Sequence, residues 1–338
     1  MSPVTIADVA RAAEVSTATV SNALNGTGRL ADSTRVRVRT VAASLGYGGA
    51  GGPAPRVLGL AVTTYGAHRW NFAGVPYFAQ AINAATVAAH ARGYALTALP
   101  AAPDEASWRT VALAGALLLD SPAGDPVVRI LRERGLPLAF DGRPAEPRPG
   151  EAWVDNDHDA TTRTVLDHLA SQGARRIALM AGPGEEHYTL SCLAAYRNWC
   201  AEHGTEPYVV PLIPGDDEGR ALDPLLSGER RPDALYGIYN PCGRRALAAA
   251  ARRGLSVPGD LLLVCASEDP AYATTTPPVS TVSLVPDAAM AAAVTALVEL
   301  IERPGHTPPP VIVPARLLVR ASSVRTASRS DTGSRTGS

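Results

Sequence analysis

Residues 5–47 read TIADVARAAEVSTATVSNALNGTGRLADSTRVRVRTVAASLGY. Ile6, Val9, Ala10 and Ala13 recur at helical spacing, which places them on one face of a short helix. Ser16 is a suitable N-cap for a second helix, with Val20, Ala23 and Leu24 as its apolar face. Asn25-Gly26 ends that helix, because both residue types tolerate left-handed backbone. A third helix carries Val38, Val41, Ala42 and Leu45, and Gly46 closes it. Three short helices around a small apolar centre, with a tight break at Glu14-Val15, predict a helix-turn-helix.

The second helix would expose Thr17, Ala18, Thr19, Ser21 and Asn22. Short polar or methyl-bearing side chains let a helix backbone sit deep in a major groove. Asn can bond adenine in bidentate fashion, and Ala or the Thr methyl can meet a thymine methyl. Arg11, Arg29, Arg35, Arg37, Arg39 and Arg56 oppose only Asp8, Glu14 and Asp32, so this segment carries about +3 while the chain carries −1. Basic charge is thus concentrated where phosphate contacts are needed. A protein-interaction module of three helices would expose apolar side chains instead.

The run VTIADVARAAEVSTATVSNALNG resembles the headpiece of the lactose-repressor/galactose-repressor (LacI/GalR) family of bacterial transcription regulators. The pattern DVA-x-x-A-x-VS-x-x-TVS-x-x-LN is nearly complete, and a looser likeness continues to residue 323. The resemblance implies DNA contacts from Thr5, Ser16, Thr17, Ala18, Thr19, Ser21, Asn22, Asn25, Arg29, Thr34 and Arg35. Thr17, Ala18 and Asn22 are expected to set base preference and Arg35 to position phosphates. Glu14 stands where the family's turn commonly has Gly or Asn.

Length and composition agree with a small domain plus a larger two-lobed one: 338 residues, 46% of them hydrophobic. All 31 basic residues are arginine, a bias attributable to genome base composition. No apolar run is long enough to span a membrane and the N-terminus is unlike a signal peptide, so a cytoplasmic location is expected. Cys192, Cys200, Cys242 and Cys265 lack metal-binding spacing and are expected to be free thiols. A thiol-based sensor built from Cys192, Cys242 and Cys265 is the less expected alternative to small buried hydrophobes.

Residues 48–56 form a Gly/Pro linker. The G-x-G-x-x-G at Gly46, Gly48 and Gly51 follows a helix and runs into prolines, so it is no dinucleotide fingerprint. Most members of the family that the chain resembles have a hinge helix here whose Leu wedges into the minor groove. This linker has no Leu, and its glycines and prolines oppose helix formation. From residue 57 strands (57–63, 95–99, 115–119, 136–140, 176–181, 208–213, 234–239, 261–265, 311–319) alternate with helices (77–92, 126–134, 160–172, 190–203, 244–253, 287–302). The alternation predicts parallel sheets covered by helices, in two similar lobes. The expected fold is an all-α helix-turn-helix headpiece (1–47) joined to an α/β two-lobed, periplasmic-binding-protein-like effector and dimerisation domain (57–321), with 322–338 a disordered tail.

Ligands of such folds lie at the carboxyl ends of strands, here between the lobes. The resemblance places Tyr77, Phe78, Asp141, Cys192, Asn240, Ser267 and Glu268 in that cleft. Two of these depart from the family pattern. Cys192 stands where an Arg is usual, and Ser267 where an Asp is usual, unless the alignment slips by one and Glu268 is the acid. The departures point to an effector less charged or larger than a simple monosaccharide. Asp155, Asp157 and Asp159 mimic a calcium loop, but Ala160 and Leu166 occupy its Gly and Glu positions, so no metal is expected. The clusters Glu185-Glu186, Asp216-Asp217-Glu218 and Glu268-Asp269 read as solvated loops. No G-x-S-x-G, P-loop or H-E-x-x-H is present.

The expected protein is therefore a regulator, not an enzyme and without cofactor. It would be a homodimer binding double-stranded operator DNA as a repressor, with an unidentified small-molecule effector, a carbohydrate-related compound being one candidate. An orphan regulator without effector and a solute-binding protein are the alternatives.

Overall fold

A computed structural model describes residues 4–25, 28, 30–45, 47, 56–63, 74–99, 105–213, 216 and 218–325. The chain divides into two compact units, Met1–Pro55 and Arg56–Ser338.

The first unit contains α1 (Ile6–Ala12), α2 (Thr17–Asn25) and α3 (Asp32–Ser44). Thr5 caps α1 in a reciprocal box with Asp8: the Thr5 N–H donates to Oδ2 at 2.9 Å and Thr5 Oγ1 accepts from the Asp8 N–H at 3.4 Å. Ser16 Oγ accepts from the Thr19 N–H at 3.1 Å and starts α2. Between these helices Glu14 has φ 53°, so the sharp turn is left-handed at a residue with a Cβ. Val9, Ala10, Ala13, Val20, Ala23, Val38 and Ala42 form the core. Leu45, expected on the apolar face of α3, is 37% exposed. Residues 48–55, on which the expected absence of a hinge helix rests, lie outside the described residues.

The second unit is two lobes built on two six-stranded sheets. The first sheet is all parallel, in the order β11-β5-β4-β3-β1-β2, with β1 Val57–Val62, β2 Ala95–Ala98, β3 Gly115–Leu119, β4 Leu138–Asp141, β5 Glu151–Asp155 and β11 Val311–Ile312. The second runs β12-β10-β9-β8-β6-β7, with β6 Ile177–Ala181, β7 Tyr208–Pro211, β8 Ala234–Gly237, β9 Leu262–Ala266, β10 Ser280–Ser283 and β12 Arg316–Leu318. The pair β10–β12 is antiparallel. Central strands such as β3, β6 and β9 are buried along their whole length. They are therefore continuous apolar runs, as strands covered on both faces must be.

Helices α4 (Pro76–His90), α5 (Glu105–Thr110), α6 (Pro126–Glu133) and α10 (Pro286–Glu302) cover the first sheet. Helices α7 (His158–Ser171), α8 (His187–Glu202) and α9 (Pro241–Arg252) cover the second. The chain crosses between lobes three times, after β5, after β10 and after β11. The expected single strand 311–319 is therefore two short strands in different sheets, broken at Val313–Ala315 because the chain changes lobe there. Asn156 ties the crossovers together, its amide donating to Leu284 O at 3.1 Å and Val313 O at 2.7 Å. The expected start of the tail at residue 322 is too early. Ser322 and Ser323 are buried, and Ser322 Oγ donates to Leu263 O at 2.6 Å. Among the described residues no helix is long and apolar enough to cross a membrane.

Candidate functional site

In the headpiece Thr17 and Ala18 are exposed, and Thr19, Ser21 and Asn22 are half-buried on the same helix. The Ser16 hydroxyl is held at the cap, 2.8 Å from Thr19 Oγ1. Thr5, also exposed, is held by Asp8. Asn22 is pressed on the bare α-carbon of Gly28: a Cβ built there would lie 3.0 Å from its amide nitrogen. Arg35 reaches the same loop, with Nη2 3.5 Å from Gly28 O. Thr34 is half-buried at the start of α3. Asn25 ends α2, and Arg29 lies outside the described residues.

In the cleft the strand ends of the first lobe present carboxylates. The Tyr77 hydroxyl donates to Asp141 Oδ2 at 2.5 Å. Burial pushes the Asp141 carboxyl up to about 7; the Tyr77 hydrogen bond opposes this and the Asp155 charge adds to it. Burial and the charges of Asp141 and Asp120 push the Tyr77 hydroxyl well above its ordinary value. Asp120 follows β3 in left-handed backbone, φ 51°, and its N–H donates to Asp141 O at 3.0 Å. Its surroundings, then the charges of Asp141, Glu186 and Asp155, push its carboxyl well up.

From the second lobe, Glu186 Oε1 accepts from the Tyr239 hydroxyl at 3.0 Å and from Thr189. Ser267 donates to Asn240 Oδ1 and accepts from the Asp269 N–H at 2.9 Å. Gln80 of α4 crosses to Glu268 O at 3.1 Å.

The seven expected cleft residues thus fall into two groups. Tyr77 with Asp141, and Asn240 with Ser267, form polar pairs at strand ends and helix starts. Phe78, Cys192 and Glu268 are engaged elsewhere. Phe78 is 3% exposed in the core of the first lobe, edge-on to Tyr77 with ring centroids 5.4 Å apart. Cys192 is 1% exposed among Tyr196 and Trp199, and burial pushes its thiol up to about 12. Glu268 accepts from Ser283 Oγ at 2.8 Å and from the Leu284 N–H at 2.7 Å, so it holds the second crossover. Cys242 and Cys265 are buried free thiols raised by burial, and Cys242 packs against Gly237, where a Cβ would overlap its own.

The sequence reading missed Asp120, Glu186, Tyr239 and Gln80. Asp120 directly follows an apolar strand, a signal that was available. Glu186, expected in a solvated loop, is 5% exposed. Asp157 caps α7 through the Ala160 N–H at 2.9 Å, which accounts for one acid of the calcium-like run. A cavity of about 440 Å³ lies away from these pairs, between α6 and the β4–β5 loop.

A small three-helix unit with a polar second helix, on a chain that continues into two α/β lobes joined by three crossovers, defines a ligand-responsive DNA-binding regulator. Residues 5–48 match the family described as bacterial regulatory proteins, lacI family, and residues 166–323 match the periplasmic binding protein-like domain. The chain belongs to the lacI family of bacterial transcription regulators. It is 28% identical over 295 residues to the HTH-type transcriptional regulator CelR of Thermobifida fusca, covering 82% of this chain and 86% of that protein. Its fold is similar to that of a transcriptional regulator CelR–cellobiose complex (TM-score 0.71, 24% identity, 95% of this chain and 100% of that one). It is also similar to a lac repressor dimer bound to operator and the anti-inducer ONPF (TM-score 0.68, 21% identity, 96% and 100%). The protein is a DNA-binding transcription regulator and not an enzyme.

Proposed function

We propose that this chain works in the cytoplasm as a homodimeric repressor whose operator affinity is set by a small molecule between its lobes. Thr17, Ala18 and Asn22 read bases, and Arg35 with neighbouring donors holds the backbone. The observation that carries the cleft reading is that each lobe holds a polar pair at its strand ends, Tyr77–Asp141 in the first and Asn240–Ser267 in the second, with Gln80 of α4 reaching Glu268 O beside Ser267 at 3.1 Å. A ligand bridging these pairs favours one lobe arrangement, and through it one spacing of the headpieces. Buried Cys192 and bonded Ser267 leave neither the usual Arg nor the usual Asp, which supports a neutral effector larger than a monosaccharide. Cellobiose, held by the CelR complex, is the first compound to try.

The experiment is selection of an operator from random DNA, followed by calorimetry and gel shift with cellobiose and glucose. Tight binding of glucose overturns the size argument. No response to any of a broad sugar and nucleoside panel favours an orphan regulator, a reading supported by the burial of Phe78 and Cys192. We further propose that the linker 48–56 forms no hinge helix and inserts no wedge, so the operator is little bent. A circular-permutation assay showing a sharp central bend overturns that.

A further inference from the structure

Asp155 is the last residue of β5, at the first crossover between lobes. Its Oδ1 accepts from the Asn156 N–H at 2.8 Å and lies 2.8 Å from His158 Nε2. Its Oδ2 accepts from the Arg143 N–H at 3.2 Å and lies 3.3 Å from His187 Nε2. His158 begins α7, three residues along the same crossover, so the chain keeps it near Asp155. His187 begins α8, which packs on α7 with Tyr188 edge-on to His158 at a centroid distance of 4.9 Å, so it meets β5 through side chains and not through the adjoining chain. Its contact with Asp155 therefore depends on how the two lobes are placed.

The two rings also differ in access. The side chains of Asp155 and His158 are each 5% exposed, and that of His187 is 35% exposed. Both rings border a cavity of about 240 Å³, with Arg143, Trp153, Asp157, Asp159 and Ser191. His187 can exchange a proton with solvent while the other two are sealed.

We propose that His187 and Asp155 form a proton-dependent strut between the lobes, making the lobe arrangement of this regulator respond to pH.

The groups facing His187 are Asp155 from β5, His158 from α7 at a ring-centroid distance of 6.1 Å, Arg143 from the β4–β5 loop, and Ser191 on its own helix at 3.2 Å. Burial lowers the proton affinity of His187; Asp155 opposes this, and His158 and Arg143 add to it. A histidine whose value is depressed in one arrangement favours that arrangement while neutral. The strut holds above the ordinary histidine value of about 6.5 and is lost as pH falls through the lowered one. Acid therefore favours an arrangement in which His187 is withdrawn into water.

The test measures a distance between lobes in the full chain. Ala145→Cys on the first lobe and Glu229→Cys on the second are exposed positions for spin labels. The four native cysteines are buried and do not compete. Labelled chain is diluted in unlabelled chain, so that each labelled protomer reports its own lobes. Pulsed dipolar spectroscopy at pH 8 and pH 5.5 should show a distribution that shifts and broadens in acid. With His187→Gln, which changes a half-exposed side chain, the distribution should not move with pH. An unchanged distribution in the parent, or an equal shift in His187→Gln, overturns the proposal.

Discussion

Thr17 and Ala18 stand exposed on the second helix of the headpiece, whereas the polar side chains of the cleft already hold one another. Tyr77 holds Asp141, Ser267 holds Asn240, and Tyr239 holds Glu186. DNA can dock on the headpiece by displacing water. A cleft ligand must replace hydrogen bonds that exist without it, so its affinity depends on how well it restores them. The acids differ in the same way. Exposed Asp8 is held below its ordinary value, first by the Thr5 hydroxyl, while buried Asp141 is pushed up. Two of the expected reading residues, Thr17 and Ala18, face solvent, while the polar pairs of the cleft are built into the fold.

The sharpest break of this comparison uses two neighbours. Phe78→Ala removes a core aromatic and should destabilise the second unit by about 3–5 kcal/mol. Tyr77→Phe removes only the hydroxyl that Asp141 accepts, so it should cost far less and act on ligand affinity instead. Calorimetric melts of both variants decide it. Equal losses would mean that Tyr77 too is a core residue.

The next effect concerns Asp141. A carboxyl whose value in the fold lies above its ordinary 3.8 stabilises the fold while protonated. That contribution is complete below 3.8 and is lost as pH rises through about 7. Asp141→Asn stays neutral, so above pH 7 it should be more stable than the parent by up to about 4 kcal/mol, with no gain near pH 4. For Asp8 the sign is opposite: its favourable contribution is present above its ordinary value and lost in acid. Melts from about pH 2.5 to pH 8 check both, and a gain for Asp141→Asn that is independent of pH would remove titration as its cause.

These contrasts also explain what could be read in the sequence. Helical periodicity alone separates Val20 and Ala23 from Thr17 and Ala18, because one helix has only one buried face. The sheets were legible for the same reason, since runs such as 115–119 and 261–265 are apolar throughout. The cleft was not, because neighbours in sequence diverge there. Phe78 follows Tyr77 by about 100° of helix and turns into the core. Cys192 occupies a matching position, but its short side chain stays among Tyr196 and Trp199. Glu268 sits beside Ser267, yet its carboxylate turns to a crossover that only the folded chain brings near. The break inside 311–319 was hidden too, since both halves are β-prone and only the change of lobe divides them.

On the headpiece side, Asn22→Ala should relax base preference at one symmetric pair of operator positions by about 1–3 kcal/mol of discrimination. Gly28 packs on Asn22, so its amide is presented in a defined place. Selection from random DNA that returns an unchanged motif for Asn22→Ala would take this residue out of the readout. Such a result would shift the weight of specificity to Thr17 and Ala18.

The smallest expected effect is at the turn. Glu14 has φ 53° in a tight break between α1 and α2, where the Val15 N–H donates to Ala10 O at 3.0 Å. The backbone bond fixes the turn whatever the side chain, and the exposed Glu14 side chain buries nothing. A residue with a Cβ in this region is strained by about 1–2 kcal/mol, and glycine removes that strain while adding entropy to the unfolded chain. The two terms oppose each other, so Glu14→Gly should stabilise the headpiece by at most about 1 kcal/mol. Glu14→Ala separates them, because it keeps the Cβ and should give no gain. In thermal melts of the full chain, the headpiece transition should rise for Glu14→Gly alone. A rise for both substitutions would assign the effect to the lost charge, and none for either would show that the turn relieves its strain elsewhere.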